Sequence, residues 1–190
     1  MNFKTIANFI FEIASMRRIN RAHCQVIPGV NENIGDHSFR VTVIGMLLAK
    51  MEHCDENKVL KMCLFHDIAE ARTWDANFIN KHYGDLKERE AQQDQLGGLP
   101  IKDEMLTILE EYIERTSIES IVAKDADCLD QLVLEQEHFY GDDTNRNIWQ
   151  AWSMKKLKTN SAKQLAQEII ASNPLDRLYA LVKEKRGGQK

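Results

Sequence analysis

Apolar positions recur at helical spacing along most of this chain, and no segment alternates apolar and polar residues as a half-buried strand would. Phe3, Ile6, Ala7, Ile10, Ile13 and Ala14 predict an amphipathic helix running to about Arg18. The period lapses through residues 19–35, where Pro28-Gly29 and the stretch Asn31 to Gly35 predict a long loop. A loop of that length inside a compact domain is usually functional or disordered. Asp36 is placed to cap a helix with the stripe Val41, Ile44, Leu48 and Met51. Asp55 is placed to cap the next, which carries Val59, Leu60, Cys63 and Leu64 toward His66-Asp67.

Beyond Glu70 the pattern weakens. A polar helix is expected from Asp85 to Gln95, ended by Gly97-Gly98 and exposed or mobile because it has almost no apolar residues. Residues 102–114 predict a helix with Met105, Ile108, Leu109 and Ile113 inward. Thr116 and Glu119 have capping-box spacing and open a helix with Ile118, Ile121, Val122, Ala126, Leu129 and Val133 on its stripe. Two helices follow over about 145–157 and 160–171, then a break at Asn173-Pro174 and a last helix through Leu178, Leu181 and Val182. Residues 185–190 are expected to fray. The expectation is an all-α helical bundle forming a single domain over residues 1–190.

Composition narrows the function. A net charge of −4 argues against a partner that is a nucleic-acid polymer, which would need a basic face. A small anionic substrate is still compatible, because a metal and a few local cations reverse the field inside one cleft. The four cysteines have no C-x-x-C spacing and read as free thiols of a reducing compartment. The longest apolar stretch, Val41 to Ala49, is interrupted by Thr42 and is far short of the ~20 residues of a membrane span. The N-terminus lacks a signal-peptide layout, so a cytoplasmic enzyme without membrane contact is expected.

The candidate chemistry lies in His37, His66, Asp67 and Asp127. Two imidazoles and two carboxylates suit a first-row divalent ion that keeps open positions for water: Mn, Co, Fe, Ni, Mg or Zn. A closed structural zinc site would more often draw on cysteine. Neighbouring residues point about 100° apart on a helix, so His66 and Asp67 share one metal only near a helix end. Asp127 competes with Asp125 and Asp130, and spacing does not choose among them. Glu70, four residues after His66, lies on the same side if the helix continues, where it could relay a proton or simply be solvated.

Gly-Asp-His37-Ser-Phe-Arg, Leu-Phe-His66-Asp67-Ile-Ala-Glu70, Thr73-Trp-Asp75 and Ala-Lys-Asp-Ala-Asp127, in that order, resemble the HD-domain metal-dependent phosphohydrolases. Among these the chain is most similar to bacterial 5′-deoxynucleotidases and their eukaryotic HD-domain-containing relatives, over roughly residues 15–135. The resemblance implies an HD-type helical bundle, selects Asp127 as the fourth metal ligand, and places Glu70 and Asp75 in the active site as catalytic groups. It points to Arg21 as the phosphate-gripping arginine; Asn77 and Lys81, which follow Asp75 in the chain, are weaker candidates for substrate contacts. It implies a homodimer and hydrolysis of nucleoside 5′-monophosphates, deoxynucleotides in particular. A deoxynucleoside triphosphate triphosphohydrolase and a non-catalytic nucleotide or metal sensor are the alternatives.

Two departures from the relatives bear on specificity. Ala22 follows Arg21 where several relatives carry a tryptophan that crowds the sugar, so a weaker deoxy preference is expected. Trp74 stands where relatives often have glycine, which predicts a bulkier pocket wall. Trp149 and Trp152 read as core, and His23, His53, His82 and His138 as surface or supporting groups.

Overall fold

The computed structural model describes residues 2–139 and 141–187, the side chains of Asp143 and Arg186 excepted, and among them the fold is all-α. Helix α1 (Phe3–Ile13) is capped by Asn2 and stops earlier than expected, tightening into a 3₁₀ turn at Met16–Arg18. The turn lets Met16 and Ile19 fold against Ile34 in a small cluster of their own. The expected loop contains a second 3₁₀ turn, Ala22–Gln25, and is closed at its base. There Asn20 bridges to Asn33, the Arg21 amide donates to the Glu32 carbonyl at 2.9 Å, and the Ile34 amide to the Ile19 carbonyl at 3.0 Å.

Helix α2 (Ile34–Met51) is capped by Asn33 rather than Asp36; the Asn33 side chain accepts from the Asp36 amide at 3.0 Å. Starting there makes Ile34, fully buried, the first helical residue and puts His37 in the first turn. Val41 and Leu48 are buried as expected, but Met51 is 48% exposed. Helix α3 (Glu56–Phe65) is capped by Asp55 as expected and buries Val59, Met62 and Cys63, while Leu64 faces out. A Cβ on Gly45 would lie 2.4 Å from the Cys63 sulfur, so its absence sets how closely α2 and α3 cross. A turn leads into α4 (Glu70–Thr73).

Helix α5 (Phe78–Tyr83) was not expected. It buries none of its own residues, so it leaves no apolar period to read. Helix α6 (Glu88–Leu96) is the expected polar helix, but it is docked rather than exposed: Gln92, Gln95 and Leu96 are buried. Gln95 donates from Nε2 to the Ile68 carbonyl at 2.9 Å and to Glu12 at 3.0 Å, bonds that hydropathy does not register.

Helix α7 (Lys102–Glu114) turns Met105, Ile108, Leu109 and Tyr112 inward, with Ile113 41% exposed instead. The central helix α8 (Ile118–His138) opens with a Ser117–Ser120 capping box, not the Thr116–Glu119 pair; Glu119 instead accepts from the Asp55 amide at 3.2 Å. Val122, Ala126 and Leu129 are buried on α8 as expected, while Ile118 is 42% exposed. Helices α2, α3, α7, α9 (Asp143–Lys156) and α10 (Asn160–Ala171) pack on it. Helix α11 (Asp176–Gly187) leaves Leu178, Leu181 and Val182 partly exposed. It runs through part of the segment expected to fray, and residues 188–190 lie outside the described residues. Among the described residues no helix is long and apolar enough to cross a membrane.

Candidate metal centre and active-site cleft

Helix α3 ends at Phe65, so His66 and Asp67 sit where the chain unwinds and both turn toward the first turn of α2. His37 and His66 face each other with their Nε2 atoms 3.2 Å apart. The opposite ring nitrogens are both engaged. His66 Nδ1 donates to the Cys63 carbonyl at 2.8 Å, and His37 Nδ1 donates to Asp130 Oδ2 at 2.7 Å. Donation from Nδ1 leaves a lone pair on each Nε2 when the rings are neutral, an arrangement that suits a cation between them.

Two carboxylates close on the same spot. Asp67 Oδ2 is 3.3 Å from His37 Nε2 and 3.1 Å from His66 Nε2, and Asp127 Oδ1 is 3.5 Å from His37 Nε2. Ligand atoms of His37, His66 and Asp127 all lie within 4.8 Å of one another. Burial alone lowers the His37 pKa, yet the hydrogen bonds to Asp130 and Asp67 outweigh it and lift it to about 9. Burial likewise raises the Asp127 carboxyl, but Lys124, whose Nζ is 2.6 Å away, and the two histidines hold it well below the usual range. The donor set and its charge fit a divalent ion.

Arg21 reaches the centre from the closed loop. Its NH1 lies 2.9 Å from Asp75 Oδ2, 3.1 Å from Asp67 Oδ2 and 3.9 Å from Glu70 Oε2. Asp75 is fixed in turn by the Ala22 amide, which donates to Oδ2 at 2.8 Å. Glu70 is 6% exposed, and its Oε2 has no hydrogen-bond partner among the described residues. Burial, then Asp67 and Asp75, push its pKa up to about 10, so this carboxyl carries a proton at neutral pH. Asn77 lines the same cleft, but its Oδ1 caps α5 and its Nδ2 donates to Gln25 at 2.8 Å. Lys81 lines the cleft and is exposed.

The cleft encloses about 630 Å³ and continues past the metal-binding end to Gln131 and Glu135 of α8 and Trp149, Trp152 and Ser153 of α9. The two tryptophans therefore line the cleft rather than the core, and Trp152 is 68% exposed. Trp74 does not line it; the side chain is 69% exposed at a backbone φ of +63°. His23 lines the cleft and is buried. Sequence reasoning missed the brace behind His37: Arg40 donates to Asp130 Oδ1 at 2.7 Å and also pairs with Glu32. The available signal was spacing, since Arg40 follows His37 and Asp130 follows Asp127 by three helical positions.

A family model described as an HD domain matches residues 13–170. The chain belongs to the HD-domain family. The 5′-deoxynucleotidase HDDC2 of Bos taurus is 27% identical over 112 residues, 56% of this HD-domain chain and 54% of that protein. Its Dictyostelium discoideum counterpart is 25% identical over 122 residues, 56% of this chain and 63% of that protein. The chain thus spans less than two thirds of the length of these curated relatives. Among solved structures, a protein of Pyrococcus horikoshii OT3 superposes with a TM-score of 0.71 at 24% identity, covering 87% of this chain and 98% of that one. A predicted metal-dependent phosphohydrolase of Magnetospirillum magnetotacticum MS-1 superposes with a TM-score of 0.70 at 21% identity, covering 89% and 91%. At these identities the likeness establishes a shared HD fold.

Proposed function

We propose that this HD-domain protein is a divalent-metal-dependent phosphohydrolase that releases phosphate from nucleoside 5′-monophosphates, deoxynucleotides among them. The observation that carries the reading is the meeting of His37, His66 and Asp127 ligand atoms within 4.8 Å of one another, with Asp67 Oδ2 beside both imidazoles and each Nδ1 engaged by an outer bond. These four residues would hold the metal. A divalent ion bound there would polarise a phosphoryl oxygen and lower the pKa of water.

The chain supplies the rest. Arg21, held in place by Asp67 and Asp75, presents a guanidinium for the phosphate. Glu70, protonated at neutral pH, donates its proton to the departing 5′-oxygen. Asp75 holds Arg21 and the Ala22 amide, fixing the loop over the site. Lys81 stands at the cleft edge as a further phosphate contact, and Asn77 anchors α5 beside it.

The names of the HDDC2 relatives support the nucleotide class. Purified protein with Mn or Co should release inorganic phosphate from dAMP, whereas triphosphate released from dATP would assign the other chemistry. His66→Ala should abolish turnover with helical circular dichroism intact; normal activity in that variant would overturn the reading. Ala22 and the outward Trp74 leave the sugar side open, so AMP and dAMP should have similar kcat/KM. A deoxy preference well beyond about 200-fold, the upper range for discrimination by one group, would refute that. The protein should sediment as a homodimer, and a monomer at micromolar concentration would refute this.

A further inference from the structure

The cleft extends well beyond what a phosphate needs. Asp127, Gln131 and Glu135 follow each other at i, i+4 and i+8 on α8 and all line it, a span of about 12 Å at the helical rise. Glu135 is only 2% exposed. Its Oε1 accepts from Ser153 Oγ at 2.9 Å and from Gln131 Nε2 at 3.2 Å, which ties α8 to α9. Its Oε2 is buried with no hydrogen-bond partner among the described residues. Leaving a carboxylate oxygen so placed is costly unless a donor comes to it.

The apolar surface at this end is equally unusual. Trp149 and Trp152, three apart on α9, line the cleft beside Glu135. Trp149 is stacked against Phe139, ring centroids 6.3 Å apart, and so is held from behind. Trp152 is 68% exposed, a large aromatic left open at the mouth of a polar cleft. A flat ring with N–H groups on its edge satisfies both features at once, the indole by stacking and the carboxylate by a hydrogen bond.

We propose that this end of the cleft is a nucleobase subsite, in which Trp152 stacks on the base and Glu135 Oε2 accepts a hydrogen from an N–H on its edge. The proposal rests on the nucleotide reading above and adds a selectivity that reading does not contain. All four bases present an N–H on the pairing edge, but only guanine presents two side by side, its ring N–H and its exocyclic amino group; the amino group of adenine or cytosine lies beside a bare ring nitrogen and the thymine ring N–H lies between two carbonyl oxygens. Glu135 therefore favours dGMP over the other three deoxynucleotides.

The test compares kcat/KM for the four deoxynucleoside monophosphates with that for 2-deoxyribose 5-phosphate, which lacks a base, using the full chain loaded with Mn. Trp152→Ala should lower the nucleotide-to-sugar-phosphate ratio by about 5- to 100-fold, through KM rather than kcat, because stacking on one aromatic is worth that much. Glu135→Gln keeps an oxygen for Ser153 but turns the free position into an N–H donor. It should lower the preference for dGMP over the other three deoxynucleotides by about tenfold, the effect of one hydrogen bond to a base edge.

Equal losses on nucleotides and on deoxyribose 5-phosphate would overturn the subsite and leave the nucleotide reading standing. Hydrolysis of deoxyribose 5-phosphate with none of any nucleotide by the unaltered protein would overturn both. Quenching of tryptophan fluorescence by free deoxyguanosine, lost in Trp152→Phe, checks base binding apart from catalysis; no quenching in the unaltered protein would count against the subsite.

Discussion

Asp130 takes no part in the proposed metal shell, yet its replacement by asparagine should be felt there. The carboxylate is 1% exposed and accepts from His37 Nδ1 at 2.7 Å, from Arg40 Nε at 2.7 Å and from Arg40 NH2 at 3.1 Å. Asparagine offers one acceptor oxygen and one NH2 group of similar shape. If the oxygen stays on Arg40, the NH2 meets His37 Nδ1 and drives the imidazole proton to Nε2, where it blocks the lone pair aimed at the metal. If the oxygen turns to His37, the NH2 opposes the Arg40 donors.

Partners of this kind are typically worth 10–100-fold in metal affinity, or about 1.4–2.7 kcal/mol. Losing a buried charged hydrogen bond costs roughly 1.5–3 kcal/mol of stability. In a chain of this size that lowers Tm by about 3–12 °C. Calorimetric titration of metal-free Asp130→Asn with Mn measures the first effect and thermal unfolding the second. Arg40→Gln is the control: it removes the brace but leaves the His37 bond, so it should cost stability with less than about a threefold change in affinity. An Asp130→Asn protein that unfolds earlier but binds Mn within twofold of the unaltered chain would refute the tautomer argument.

Gly45→Ala places a Cβ 2.4 Å from the Cys63 sulfur and should destabilise the protein by about 1 kcal/mol or more, overpacking exceeding the helix-propensity gain. In a Cys63→Ala background most of that loss should vanish, leaving the added Cβ against Val59 Cγ1 at 3.2 Å; additive losses in denaturant titrations would refute the contact. Trp74 has φ +63° and ψ 158°, a conformation that costs a non-glycine residue about 1–3 kcal/mol. Trp74→Gly should therefore raise Tm by about 2–4 °C per kcal/mol recovered, and a fall would show that the exposed indole contributes more than it strains. Glu70 has a pKa of about 10 in the fold against an ordinary 4.5, so between those values the folded chain keeps a proton the unfolded chain gives up, and metal-free stability falls as pH rises. Glu70→Gln lacks that slope and should be more stable than the unaltered protein at pH 8 and about equal at pH 5. Parallel pH profiles in chemical denaturation would refute the shift.

The helices that bury an apolar face were written in the order of residues. α2, α3, α7 and α8 follow from Val41 and Leu48, Val59 and Cys63, Met105 and Leu109, Val122 and Leu129, because periodicity records which side of a helix leaves water. The same logic explains what was illegible. α5 buries nothing of its own, and α6 is docked through glutamine bonds that carry no hydrophobic signal.

At the site, the order of His37, His66-Asp67 and Asp127 gave the candidate ligands through resemblance, and tertiary structure alone decided how they meet. His37 and Asp130 are 93 positions apart, and nothing in either segment states that one sets the proton of the other. Glu135 and Trp152 look like ordinary helical residues until α8 and α9 bring them to one cleft. A sequence fixes which groups are present and which faces are apolar. The partner of a buried polar atom depends on how helices distant in sequence cross, and that is set by packing such as the contact of Gly45 with Cys63.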